Sequence, residues 1–255
     1  MTDKPFYTDY PIHRYQPDGL AAVDDVVVEE TEITIVLNGQ LLVALACSPR
    51  AYPELAVGYL LAEGWLNRFD QLESLEVKEN QVWIEADAAK SIVVPDIWHI
   101  NTCLGRCQSN TQGIKPVDES SSRFKPEHLL TLAARLNEES PVFKKTGGTH
   151  IAGLGQEDNL VVSYEDIGRH NAVDKTLGFA FLQKVSLQDK CLALSGRIAG
   201  EILLKAARSG IGLILSRSAP TSKTVSLAEQ LGITIVGFAR GNQFNVYTYP
   251  ERVLV

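Results

Sequence analysis

CLALSGRIAGEILLKAARSGIGLILSRSAPTSKTVSLAEQLGITIVGFAR, residues 191–240, is the stretch that decides the fold. Short, fully apolar runs alternate in it with longer segments whose apolar residues recur at helical spacing. The pattern predicts strands at 191–195, 212–216 and 233–237, and helices at 198–208 and 221–231. Repeated strand–helix–strand units of this length are crossover connections, so at least three strands should run parallel beneath helices. The alternation extends outward, to a last strand near 244–248, a helix at 170–183, strands near 149–154 and 159–164, and a helix at 126–137.

Upstream the texture differs. Val26 to Val28 and the alternating Ile33, Ile35 and Leu37 read as β-structure, and Asn38-Gly39 between two apolar runs is a hairpin signal, because both residues tolerate positive φ. Residues 53–66 read as a helix with Pro53 in its first turn, and Glu79-Asn80 joins a second hairpin. Residues 101–125, NTCLGRCQSNTQGIKPVDESSSRFK, are polar and show no period. A patternless segment of that length is usually functional or mobile. The expected organisation is therefore a smaller β-rich N-terminal domain at 1–100, a mobile cysteine-bearing loop at 101–125 and a larger α/β domain at 126–255.

Composition narrows the function classes. Of 255 residues 45% are hydrophobic, enough for a substantial core, and the net charge of −7 disfavours nucleic acid in the absence of a basic run. The best apolar run, Leu41 to Cys47, is too short to span a membrane, and no signal pattern opens the chain, so a cytoplasmic protein is expected. Cys47 and Cys191 lie in apolar, strand-like runs and read as small buried hydrophobes. Cys103 and Cys107 stand in the polar loop beside Gly105 and Arg106. An accessible thiolate next to a cation is the nucleophile that sulfur transfer requires, and a second thiol nearby can release the sulfur or protect the site. Two incidental surface cysteines are the other reading of the same residues.

Three strand ends carry polar groups. Ser195-Gly196-Arg197 follows the strand at 191–195, and Ser216, Arg217, Ser218 and Thr221 follow the next. Helix N-termini bind phosphate, and open α/β sheets bind ligands at the carboxyl edge. The pattern suits one anion site along that edge, or plain N-capping by Ser195 and Ser218. In the third segment Phe238 can stack on a flat ring and Arg240 can pair with phosphate, or the segment is only a hairpin turn. Residues 146–150 and 165–175 are the densest polar stretches. His170 and Asp174, four apart on a helix, can face each other, and a solvated, salt-bridged helix is the simplest account. A zinc deaminase would need His-x-Glu and a later Pro-Cys-x-x-Cys. Here His150 is followed by Ile151 and Ala152, and only Cys191 lies downstream.

Taken as a set, TGGTH (146–150), EDIGRHNAVDK (165–175), SGR (195–197), SRSAPT (216–221), GFAR (237–240) and NVYTYPER (245–252) resemble the FdhD/NarQ family of formate dehydrogenase accessory proteins. The resemblance covers most of the chain from 146 onward and is looser before it. It implies a cytidine deaminase-like layered α/β fold for the C-terminal domain, and a homodimer. It implies a sulfurtransferase-type sulfur carrier that takes persulfide sulfur from a cysteine desulfurase. The sulfur passes to the Mo-bis(molybdopterin guanine dinucleotide) cofactor of a molybdenum formate dehydrogenase. A chaperone that only holds this cofactor is the alternative. The family's cofactor-binding stretch falls on Phe238, Ala239, Arg240, Gly241, Asn242 and Gln243. Family members commonly have Cys-x-x-Cys, whereas this chain has Cys103-Leu-Gly-Arg-Cys107. The persulfide role is therefore shared between Cys103 and Cys107.

Overall fold

The computed structural model describes residues 5–87, 98–100, 114–117 and 123–254. The chain opens with a two-stranded hairpin, β1 (Tyr7–Gln16) and β2 (Gly19–Val28), paired over ten residues from Tyr7↔Val28 to Gln16↔Gly19. β1 was not expected from the sequence. Its residues show no alternation of apolar and polar groups, and it forms through pairing with β2.

A five-stranded sheet follows, with β3 (Thr31–Leu37), β4 (Gln40–Cys47), β5 (Leu72–Lys78), β6 (Gln81–Ala86) and β7 (Trp98–Ile100) in the order β5-β6-β3-β4-β7. The expected hairpins are present, with Asn38-Gly39 linking β3 to β4 and Glu79-Asn80 linking β5 to β6. Asn38, Gly39 and Glu79 all have positive φ. Helix α1 (Tyr52–Ala62) has Pro in its first turn, as predicted. It is apolar nearly all round, the mark of a helix covered on more than one side. Leu55, Val57 and Leu60 are fully buried and join Ile33, Ile35, Val43 and Ile84 of the sheet in one core.

The second half is a six-stranded sheet of order β13-β12-β11-β10-β8-β9. Its strands are β8 (His150–Gln156), β9 (Asn159–Asp166), β10 (Cys191–Leu194), β11 (Leu213–Ser216), β12 (Thr234–Arg240) and β13 (Gln243–Val246). As predicted, β10, β11 and β12 are parallel neighbours. Helices α5 (Gly200–Arg208) and α6 (Ser222–Leu231) make the crossovers between them. Together with α4 (Arg169–Leu182), they cover one face through Val173, Leu177, Ile202, Leu203 and Ala228. Helix α2 (Pro126–Glu138) covers the other through Leu129, Leu132 and Leu136, and the short α3 (Pro141–Thr146) follows it. The sheet is therefore the middle of three layers.

The halves meet along α1 and α4, where glycines replace side chains. A Cβ on Gly58 would fall 1.8 Å from the Asp174 carbonyl oxygen, and one on Gly178 would fall 1.9 Å from the Glu54 carbonyl oxygen. Neither contact leaves room for a methyl group. The two backbones touch, and the orientation of α4 is fixed from both sides.

Candidate functional site

The carboxyl ends of β10, β11 and β12 all lie at one edge of the sheet, because the three strands are parallel neighbours. The three polar segments singled out in the sequence follow these ends, and backbone hydrogen bonds stitch them to one another. Arg217 N donates to Leu194 O at 3.1 Å, Ile198 N to Ala219 O at 3.1 Å, and Phe238 N to Ser218 O at 3.0 Å. Side chains add to the stitching. Ser216 Oγ donates to Gly196 O at 2.7 Å and accepts from Ser218 N at 2.9 Å. Arg240 Nε donates to Arg217 O at 2.7 Å. Residues forty-odd positions apart in sequence thus form one continuous rim.

The N-capping reading needs correction. Helix α5 begins at Gly200 with Ala199 as its cap, so Ser195 lies outside it and instead accepts from Ile151 N at 3.0 Å. The cap of α6 is Thr221, whose Oγ1 accepts from Thr224 N at 3.3 Å, not Ser218. Ser195 and Ser216 hold the rim together, while Arg197 is exposed and free to meet a ligand.

GFAR is not a loop after its strand. It is the end of β12, which runs to Arg240 and turns through Gly241-Asn242 into β13. A bulge between Gly237 and Arg240 puts Phe238 at φ 55° and turns its ring out, 43% exposed, while Ala239 is fully buried. A non-glycine residue in that backbone region is costly, and such strain gathers where function requires it. Arg240, Asn242 and Gln243 are exposed beside it. Burial, and then the charge of Arg240, lower the pKa of Arg217 from its ordinary value, although it remains a cation. The rim therefore combines an exposed aromatic face, three arginines and backbone turns, with no acidic residue in any of its three segments. That set suits a flat heterocycle carrying phosphates.

The EDIGRHNAVDK stretch proves to be structural in a way the sequence did not show. His170 and Asp174 share one face of α4, and both reach across to α5. His170 Nε2 lies 3.0 Å from Glu201 Oε2, and Lys205 Nζ lies 2.5 Å from both Asp174 oxygens. The helix is not solvated, since His170, Asn171, Asp174, Lys175 and Thr176 are all buried. Asp166, at the end of β9, accepts from Lys175 Nζ at 2.6 Å, Gly168 N at 2.8 Å, Asn171 Nδ2 at 2.9 Å and Ser48 N at 3.0 Å. Ser48 comes from the other half, so this carboxylate ties the halves together. TGGTH is explained likewise. Gly147 ends α3 in the left-handed region, Gly148 abuts Val28, and Thr149 donates to Glu165, which also accepts from Val142 N and Phe143 N.

A cavity of about 820 Å3 lies elsewhere, between the start of α1 and β9, lined by Arg50, Tyr52, Glu54, Tyr164 and Lys175 among others. It contains none of the rim residues. Cys103 and Cys107 lie outside the described residues. Cys47 and Cys191 are fully buried as expected, and burial pushes both thiols up to about 12. Neither is a nucleophile at neutral pH. Among the described residues no cluster of His, Cys, Asp or Glu is placed to hold a metal, and no helix is long and apolar enough to cross a membrane.

The family model of the FdhD/NarQ family matches residues 28–254. This chain belongs to the FdhD/NarQ family. It is 36% identical to the sulfur carrier protein FdhD of Bacillus pumilus over 250 residues, 95% of each chain. It is 36% identical to the protein of that name from Staphylococcus aureus (strain MRSA252) over 254 residues, 96% of this chain and 95% of the relative. The Bacillus subtilis FdhD is 35% identical over 250 residues. Among solved structures, a formate dehydrogenase accessory protein from Desulfotalea psychrophila superposes with a TM-score of 0.86 and 26% identity, covering 98% of this chain and all of the other. The match spans both sheets, so both halves of the chain, and not only its motif-rich second half, share the family's architecture.

Proposed function

We propose that this chain is a sulfur carrier that receives persulfide sulfur on Cys103 or Cys107 and delivers it to a nucleotide-bearing molybdenum cofactor held at the carboxyl-edge rim. The observation that carries this reading is the convergence of residues 195–198, 216–221 and 238–243 on one basic edge with an exposed aromatic, in a chain whose full-length relatives are named sulfur carriers. The aromatic and arginines suit the guanine and phosphates of Mo-bis(molybdopterin guanine dinucleotide). With Cys47 and Cys191 buried and their thiols inert, the chemistry falls to the pair in the 101–125 segment, between a body at 1–100 and a body at 126–255. The second body, with helices on both faces of its sheet, suits a cytidine deaminase-like layering.

Chemically, one thiolate of the Cys103/Cys107 pair attacks the outer sulfur of a desulfurase persulfide, forming Cys–S–SH here and releasing the desulfurase thiolate. The other thiol then attacks the inner sulfur, forming a Cys103–Cys107 disulfide and expelling hydrosulfide. The two electrons that reduce the sulfane sulfur come from the pair itself. Hydrosulfide exchanges for an oxygen ligand of the acceptor metal, with loss of water. The acceptor's enzyme would be a formate dehydrogenase, and the carrier a cytoplasmic homodimer.

Intact-mass analysis after incubation with a cysteine desulfurase and cysteine tests the first half. The chain is expected to gain the mass of one sulfur, Cys103→Ala and Cys107→Ala to locate it, and the double variant to gain none. A double variant that gains the same mass defeats the carrier reading and leaves a holding chaperone. The second half is tested by guanosine diphosphate binding. Arg240→Ala should weaken it about tenfold, the worth of one charge-assisted hydrogen bond. Unchanged affinity removes residues 238–243 from the site.

A further inference from the structure

The cavity of about 820 Å3 has no part in the nucleotide rim, and its lining has a chemistry of its own. The approach to α1, from Pro49 to Glu54, forms one side, and Tyr164 and Glu165 of β9 form another. The turn between β5 and β6 adds Glu79, and Glu139, just past α2, adds a further carboxylate. The size suits a ligand group or an inserted side chain with its flanking backbone.

Two charges of the lining are spent inside the fold. Lys175 Nζ donates to Asp166 at 2.6 Å and to Ser48 O at 3.3 Å. Glu165 accepts from Val142 N at 3.0 Å, Phe143 N at 2.8 Å and Thr149 Oγ1 at 2.9 Å. Glu54, Glu79 and Glu139 differ, since among the described residues none of them is paired with a cation. Glu54 accepts from the Tyr164 hydroxyl, Glu139 accepts from Ser163 Oγ at 2.8 Å, and Glu79 is exposed in its turn. Burial, and then the Glu54 charge, raise the Tyr164 phenol above its ordinary value, so it stays protonated and keeps donating to that carboxylate. Against these three acids stands one arginine, Arg50, whose guanidinium carbon lies 4.7 Å from the centroid of the Phe6 ring. An excess of carboxylates in a concave site draws a cation. Aromatic walls favour a guanidinium, which stacks on a ring and forks onto a carboxylate, over a compact and strongly hydrated ammonium.

The position of the cavity points to the molecule that brings this group. β7 runs parallel to β4 with Ile100 opposite Leu45, so the chain leaves both strands at the same end of the sheet. From β4 it continues to Pro49 and Arg50 in the cavity lining. From β7 it continues to Cys103, three residues on, a span of roughly 10 Å at most. A protein that hands sulfur to Cys103 is thereby brought to the end of the sheet where the cavity lies.

We propose that the cavity seats an arginine side chain of the sulfur-donating protein, with its guanidinium on Glu54 and its planar face against Tyr52 or Tyr164. The choice of partner rests on the carrier reading; the preference of the cavity for a guanidinium does not.

Calorimetric titration of the full chain with acetyl-arginine amide, and with its neutral isostere acetyl-citrulline amide, tests the preference. The arginine amide should bind, and the citrulline amide at least tenfold more weakly. Glu54→Gln, which keeps an acceptor for Tyr164, should weaken the arginine amide about tenfold, as loss of a charged hydrogen-bond partner does. Glu139→Gln, an exposed change, should weaken it severalfold and decides the matter should Glu54→Gln prove unstable. The site is overturned if the arginine amide does not bind, if the citrulline amide binds as tightly, or if both variants keep full affinity. The partner is tested by the rate at which a cysteine desulfurase, supplied with cysteine, loads sulfur onto the chain. Glu54→Gln should raise the desulfurase concentration needed for half-maximal loading about tenfold, and saturating arginine amide should reproduce that rise in the unaltered chain. An amide that binds without competing overturns the assignment of the partner. A chain that takes up no sulfur at all defeats the carrier reading, while the titrations still decide the cavity.

Discussion

Lys205→Met is expected to cost about 3–5 kcal/mol near pH 8, the usual penalty for leaving a buried charge without its partner, and far less near pH 4. Lys205 Nζ lies 2.5 Å from both oxygens of Asp174, and both side chains are almost wholly buried. Burial pushes the Asp174 carboxyl up to about 6 against the opposing pull of Lys205, with Glu63 and Asp166 adding to the rise. A carboxyl whose folded pKa lies above its unfolded value of roughly 3.9 contributes stability that is present below that value and lost as pH rises through the folded one. Removing the lysine removes the pull that opposes burial and raises the Asp174 carboxyl further, so the variant's penalty must grow as pH rises above about 6, where the unaltered chain ionises Asp174 and the variant resists it. Urea denaturation across that range measures it. A penalty that does not change with pH would mean that Asp174 is not ionised in the folded protein.

Gly178→Ala and Gly58→Ala should each destabilise the protein by about 3 kcal/mol or more, the upper range for overpacking. Alanine favours a helix over glycine by ~1 kcal/mol, so the steric cost must exceed the measured loss by that amount. The added methyl groups would fall 1.9 Å and 1.8 Å from carbonyl oxygens of the facing helix, and a backbone cannot swing aside as a side chain can. Because α1 belongs to the five-stranded sheet and α4 to the six-stranded one, the loss should include the coupling between the halves. Two separated unfolding transitions, where the unaltered chain shows one, would be its signature. A near-neutral result would show that the helices do not touch through their backbones.

The rim was legible because its chemistry is local. Serine, arginine and glycine directly after an apolar run mark the carboxyl end of a strand wherever that strand packs. Phe238 and Arg240 were visible as residue types, but their presentation was not. It depends on a bulge between β12 and β13, and so on how two strands pair. The polar stretch from Glu165 to Lys175 was misread as a solvated helix for the opposite reason. Charge density in a sequence ordinarily means solvent, and only the approach of α5 and of Ser48 turns these residues into buried pairs.

The sequence alone determined the succession of strands and helices, since periodicity, turn residues and caps act over a few neighbouring positions. It also determined the order in which strand ends present their polar groups. Tertiary structure decided which of those groups meet. Gly196, His150 and Arg169 become neighbours only when β8 inserts beside β10 and α4 starts from the end of β9, because such contacts depend on sheet order and helix packing, which no local window of residues contains.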